Sequence, residues 1–105
     1  MDWAKAAMAG AQFAFLRAGG CGTDGVNYKD DQWDNNITQA PKWMPCGCYW
    51  YFQPSKSTPQ AQADYYAAII KDCPLQLPPV MDIETNGGLG AATVKDKVKN
   101  FAYRI

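Results

Sequence analysis

Histidine is absent from this 105-residue chain. Its absence removes Ser-His-Asp and Cys-His catalysis, the imidazole base and the ordinary zinc hydrolase, and leaves carboxylates as the acid–base groups. Net charge is absent too: ten acidic residues balance ten basic ones, so no overall field draws the chain toward nucleic acid or an anionic membrane. Neither partner is expected. No apolar run approaches the roughly 18 residues of a membrane span. The N-terminal stretch lacks a basic leader region, and Arg17 cuts its longest apolar run. Neither a signal peptide nor a membrane span is therefore expected. That describes a cytosolic chain or a mature segment whose targeting sequence lies outside it.

Cysteine is sparse and poorly spaced for metal. Cys21, Cys46, Cys48 and Cys73 include no CxxC pair, and Cys46 and Cys48 fall on one face of a strand, where they cannot readily bond to each other. Buried thiols are one reading and disulfides the other, with three connectivities open. Zinc is disfavoured for want of histidine and ligand spacing; no metal and no cofactor are expected.

What the chain does have is apolar residues, 48%, against 19% charged, the balance of a globular domain or of part of one. Asp2 can cap a short helix over "WAKAAMA", closed by Gly10, and "FAFLRA" (13–18) reads as a buried strand. Residues 19–32, rich in Gly and Asp, read as a loop. "DNNITQAPKWM" is a weak helix compromised by Pro41, and "CGCYWYF" (46–52) a second strand. Thr58 and Pro59 open a helix to about Asp72 with Ala61, Tyr65, Ala68 and Ile69 along one stripe. "PVMDI" (79–83) is a third strand, and Val94, Val98, Phe101 and Ile105 mark one face of a last helix. Strands alternating with helices imply an α/β fold with a parallel sheet and right-handed crossovers, with ligands at the carboxyl ends of the strands.

The polar residues of interest gather at those ends. Arg17 closes the first strand, Gln53 and Pro54 follow the second, and Asp82 and Glu84 close the third. On a pleated strand Asp82 and Glu84 share a face with Val80, with alpha carbons about 6.7 Å apart. Carboxyls that close disfavour each other's ionisation, so one keeps its proton near neutrality while the other ionises, as a general acid beside a charge stabiliser requires. The same spacing also suits two solvated carboxylates at a strand end, and D-x-E alone does not decide.

The blocks "DW" (2–3), "FAFLRAGG" (13–20), "YKDDQWDNN" (28–36), "CGCYWYF" (46–52), "QAQADYYAAI" (60–69) and "PPVMDIE" (78–84) resemble, in order and spacing, the glycoside hydrolase family 25 lysozymes, a family of N-acetylmuramidases. The resemblance covers nearly the whole chain. It implies a (β/α)8-type barrel cleaving bacterial peptidoglycan at the β-1,4 bond between N-acetylmuramic acid and N-acetylglucosamine, outside the cytoplasm at the cell wall. Glu84 would then be the general acid and later the base, and Asp82 would stabilise positive charge on the sugar or its 2-acetamido group. Tyr49 matches the tyrosine of the family's G-x-Y-x-F strand, where it would meet a sugar face, and Tyr51 shares its side. Arg17 resembles the basic residue at the end of the family's second strand, positioned to hold an acid ionised. Asp30 and Asn36 match family positions whose polar side chains hold turns. Trp50 departs from the pattern, standing where many members have histidine.

Length departs as well. A complete barrel takes about 250 residues, and only three strands are read here. The chain is expected to be a partial catalytic domain over 1–105, lacking the first strand and the C-terminal barrel half. Inactivity in isolation and association into homo-oligomers through bare sheet edges or faces follow from that reading. The alternative is a non-catalytic glycan-binding or self-assembling partial barrel.

Overall fold

The computed structural model describes residues 1–105. Helix α1 (Trp3–Met8) begins where Asp2 accepts a hydrogen bond from the Lys5 backbone N–H at 3.1 Å. Strand β1 (Ala14–Cys21) pairs in parallel with β3 (Cys46–Tyr51), which pairs in parallel with β4 (Val80–Asp82). Helix α2 (Trp33–Gln39) and a 3-10 turn at Ala40–Lys42 connect β1 to β3. Pro41 falls in that turn, where the α-helix has already ended, as its missing N–H requires. Helix α3 (Pro59–Ile70) connects β3 to β4, capped by Thr58 Oγ1 accepting from the Ala61 N–H at 3.0 Å. Helix α4 (Ala91–Arg104) closes the chain and is tied to α3 by Arg104, which donates to both carboxylate oxygens of Asp64 at 2.7 and 2.9 Å. No helix is long and apolar enough to cross a membrane.

The structure corrects the expectation of a loop over 19–32. Strand β1 runs on to Cys21, and Asn27–Lys29 returns antiparallel to it as β2, with Gly20 opposite Tyr28. The sheet order is β2-β1-β3-β4, so an antiparallel edge strand joins the three parallel ones. Gly19 and Gly20 suggested a loop, yet they are what lets the strands close. A Cβ on Gly19 would stand 2.0 Å from the Tyr28 carbonyl oxygen, and one on Gly20 would stand 2.7 Å from the Tyr51 Cβ. The hairpin turns at Asp24–Gly25, with the Gly22 N–H donating to Val26 O at 2.9 Å.

One face of the sheet carries the core. Leu16, Ala18, Cys46, Cys48, Trp50 and Phe52 meet Trp33, Ala40, Ala63, Tyr66 and Phe101 from the helices. Trp50 stacks on Tyr66 at 5.7 Å, and Phe52 meets Phe101 edge-on at 5.2 Å; burying each large side chain contributes about 1.5–3 kcal/mol. The stripe expected on α3 is also corrected. Ala61, Tyr65 and Ala68 face solvent, while Pro59, Gln62, Ala63 and Tyr66 are buried, with Ile69 half-buried. On α4, Val94, Val98 and Phe101 turn inward and Ile105 does not. All four cysteines are free, three of them buried and Cys73 half-buried. Burial raises all four thiol pKa values.

Gln62 goes inside because every polar atom of its amide is used. Its Oε1 accepts from Trp50 Nε1 and from the Gln53 N–H, both at 3.1 Å. Its Nε2 donates to Gln53 O at 2.7 Å and Ser57 O at 3.1 Å. Gln62→Leu would strand several buried partners at about 1–3 kcal/mol each. We expect it to lower unfolding free energy by ~3 kcal/mol or more in urea titrations; a loss below ~1 kcal/mol would show that water or rearrangement replaces the amide.

Candidate active site

The face of the sheet opposite the core is bare. Phe13, Phe15 and Val80 on it are 60%, 40% and 38% exposed, and Arg17, Tyr49, Tyr51 and Asp82 follow on the same side toward the strand ends. The parallel ladders set Arg17 beside Tyr49 and Tyr49 beside Val80, then Gly20 beside Tyr51 and Tyr51 beside Asp82. Between these rows the β1 register slips by one residue after Arg17. Such a bulge re-aims the side chains around it, and here Gly20 lies opposite Tyr51. Asp82 is fixed by its own backbone, whose carbonyl accepts the Phe52 N–H at 3.0 Å. An open depression of about 330 Å³ lies beside it, lined by Phe15, Tyr49, Val80, Met81, Asp82 and Ile83.

Glu84 lies two residues past Asp82, beyond the end of β4, and is exposed. Its carboxyl is held above the usual range, first by a hydrogen bond with Asp82, then by the Asp82 charge and by slight desolvation, while the Arg17 charge pulls it the other way. The following loop is braced: the Gly87 N–H donates to Thr85 Oγ1 at 3.1 Å and the Gly88 N–H to Asn86 Oδ1 at 2.9 Å. It rests against the loop after β3, where a Cβ on Gly87 would stand 2.4 Å from Ser55 Oγ.

Arg17 reaches this end of the sheet from β1. Its Nη2 donates to the Tyr28 hydroxyl, and its guanidinium carbon lies 5.6 Å from the Tyr28 ring centroid and 5.8 Å from that of Tyr51. Its Nε is buried without a hydrogen-bond partner, 3.9 Å from Asp30 Oδ1. Asp30 also holds its turn, Oδ2 accepting from the Gln32 N–H at 3.0 Å, and Asn36 accepts from Trp3 Nε1 at 3.3 Å. Sequence reasoning missed Tyr28 because its segment read as loop. The signal was present in Asp24–Gly25, a hairpin dipeptide, followed by residues that alternate about Tyr28. Trp50, by contrast, lies on the helical side and is sealed in the core. A larger depression of about 370 Å³ on that side is lined by Lys29, Trp33, Asp34, Tyr65, Ala68 and Ile69. Its charges are a solvated pair at 3.1 Å, so it lacks the coupled carboxyls that single out the open face.

The model of the glycosyl hydrolases family 25 matches residues 1–105. Lysozyme M1 of Streptomyces globisporus is 37% identical over 114 aligned positions, which cover 99% of this chain and 37% of that protein. The N,O-diacetylmuramidase of a Chalaropsis species is 29% identical, over 99% of this chain and 54% of its own length. The crystal structure of the bacterial lysozyme from Streptomyces coelicolor superposes with a TM-score of 0.82 at 31% identity, covering 99% of this chain and 51% of that one. The chain thus spans about half, or less, of the length of these relatives. With its α/β architecture of one four-stranded sheet and four α-helices and a match along its whole length, this chain belongs to the glycosyl hydrolases of family 25.

Proposed function

We propose that residues 1–105 are a segment of a peptidoglycan-hydrolysing N-acetylmuramidase, three consecutive βα units of a (β/α)8-type barrel. The observation that carries the reading is the Asp82–Glu84 pair: two carboxyls two residues apart at the end of a parallel strand, with Asp82 holding Glu84 toward its protonated form, in a chain of this family. The names of the relatives, a lysozyme and an N,O-diacetylmuramidase, support it. The substrate is bacterial cell wall, and the site of action is extracellular or at the wall.

In this reading Glu84 delivers a proton to the glycosidic oxygen leaving N-acetylmuramic acid, then takes one from water. Asp82 meets the positive charge that grows on the sugar or on its 2-acetamido group, the route we favour and one that gives retention. Tyr49 and Tyr51, half-buried on the open face, offer apolar surface to pyranose rings. Arg17 assists from the neighbouring strand. Because proton delivery needs Glu84 protonated, turnover should fall as pH rises through its elevated pKa.

A second reading, a self-assembling or glycan-binding partial barrel, draws on the bare sheet. Phe13, Phe15, Ile83 and Val80 are each more than a third exposed, more contiguous apolar surface than a monomer of this size comfortably leaves in water. Edges β2 and β4 also have unpaired sides that accept further strands.

Three outcomes test these readings. In a family-length chain containing this segment, Glu84→Gln should cut turnover of purified peptidoglycan about 10²- to 10⁴-fold with glycan binding kept, and Asp82→Asn should also be severe; unchanged turnover moves the acid elsewhere. Borohydride reduction of the products should yield muramicitol, whereas reduced glucosamine would make the enzyme a glucosaminidase. Residues 1–105 alone should scatter light as a species heavier than the 11.6 kDa chain and release no reducing ends. A dilute, active monomer would overturn the partial-barrel reading.

A further inference from the structure

Arg17 is gripped from several strands at once. Its Nη2 donates to the Tyr28 hydroxyl on β2, and the Tyr28 and Tyr51 rings flank its guanidinium at 5.6 and 5.8 Å. Asp30, just past β2, stands 3.9 Å from its Nε. The backbone is arranged around this grip. The register slip after Arg17 and the bare Gly20 make room, since a Cβ on Gly20 would stand 3.1 Å from the Tyr28 hydroxyl as well as against Tyr51. Tyr51, the β3 residue that flanks the guanidinium, is also the ladder partner of Asp82.

A side chain that is 40% exposed needs none of this to be solvated. Arginine left to itself samples many rotamers, and its charge at any one place is diluted accordingly. Two rings and a hydroxyl restrict it, and one of those rings, Tyr51, is the ladder neighbour of Asp82 on the same face of the sheet. The charged groups that act on Glu84 are Asp82, at the end of β4, and Arg17 from β1; Tyr49 and Tyr51 stand beside Val80 and Asp82 on β3, with Tyr28 and Asp30 around Arg17. Arg17 is the cation of that set.

We propose that Tyr28, with Asp30 and Tyr51, is a positioning residue that fixes Arg17 as the standing counter-charge of the Asp82–Glu84 pair. Two neighbouring carboxyls disfavour each other's ionisation, and a fixed cation favours it. The opposing pulls of Asp82 and Arg17 on Glu84 agree with that division. What Tyr28 offers Arg17 is a hydroxyl and a ring, not a carboxylate. Its removal therefore changes where the arginine stands and not how many charges are present. The inference rests on reading Asp82 and Glu84 as the reacting pair, but its test requires no turnover.

The test is a carbon-13 NMR titration of the side-chain carboxyls of Glu84 and Asp82 in the 105-residue chain, with amide spectra to verify that each variant is folded. Arg17→Gln should raise the Glu84 midpoint. Tyr28→Phe keeps the ring and removes the hydroxyl; it should raise the midpoint by a smaller amount. Arg17→Lys, which keeps the charge but not the planar fork, should also raise it. In the double variant, Tyr28→Phe should add nothing to Arg17→Gln, since its effect passes through the arginine. An unmoved midpoint in folded Tyr28→Phe, or a Tyr28→Phe shift that persists undiminished beside Arg17→Gln, overturns the proposal. Failure of the family-length chain to cleave peptidoglycan would reject the enzymatic reading and leave the titration result standing.

Discussion

Four hydrogen bonds to a single buried amide hold this fold in register at the place where it matters. Gln62 joins helix α3 to the Trp50 indole, to both backbone groups of Gln53 and to Ser57. An apolar residue could fill the same volume but would leave those groups without the amide. The consequence travels outward. With Gln53 and Ser57 pinned, the loop after β3 leaves the sheet in one direction, and Ser55 within it provides the surface on which the loop after β4 rests. Glu84 begins that second loop. A helix residue on the covered side of the sheet thus sets the exit of both strands on whose ends the open-face polar groups stand.

The two faces of the sheet divide the labour. The covered face is conventional, with aromatic stacking over small residues and thiols, and it supplies most of the stabilising burial. The open face has the opposite character: aromatics and valine unpaired with anything above them, then arginine, tyrosines and carboxyls. In a closed barrel such a face would be interior, and its polar end would border a cavity rather than bulk solvent. Dielectric matters here. The Arg17 charge and the carboxyl coupling are screened by water on an open sheet and would strengthen under a closed one.

Much of this was legible in the residues. Strands β1, β3 and β4 were visible because their apolar runs are bounded by Gly, Pro and Asp, and helix α3 because Thr58 and Pro59 announce it. The hairpin was not, since Gly19 and Gly20 read locally as flexibility; their purpose emerges only when Tyr28 and Tyr51 stand against them. The stripe on α3 failed for a related reason. Hydropathy ranks Ala61 and Tyr65 above Gln62, and only the four partners of Gln62, supplied by other elements, reverse the order. At the candidate site the D-x-E spacing and the cation at Arg17 were legible and the grip on Arg17 was not, because Tyr28 comes from a strand the local pattern concealed.

Burial of Cys46 and Cys48 has a kinetic side. Both thiols lie in the sealed face with their pKa values raised by desolvation, Cys46 donating to Met44 O at 3.4 Å and Cys48 placed 3.0 Å from the Tyr66 hydroxyl. An electrophile meets them as thiols, out of reach, for as long as the sheet and its helices stay together. Half-buried Cys73 is the first thiol that such a reagent finds. The other two become visible only when the core parts, so the rate at which they are modified is a clock for the opening of the molecule itself.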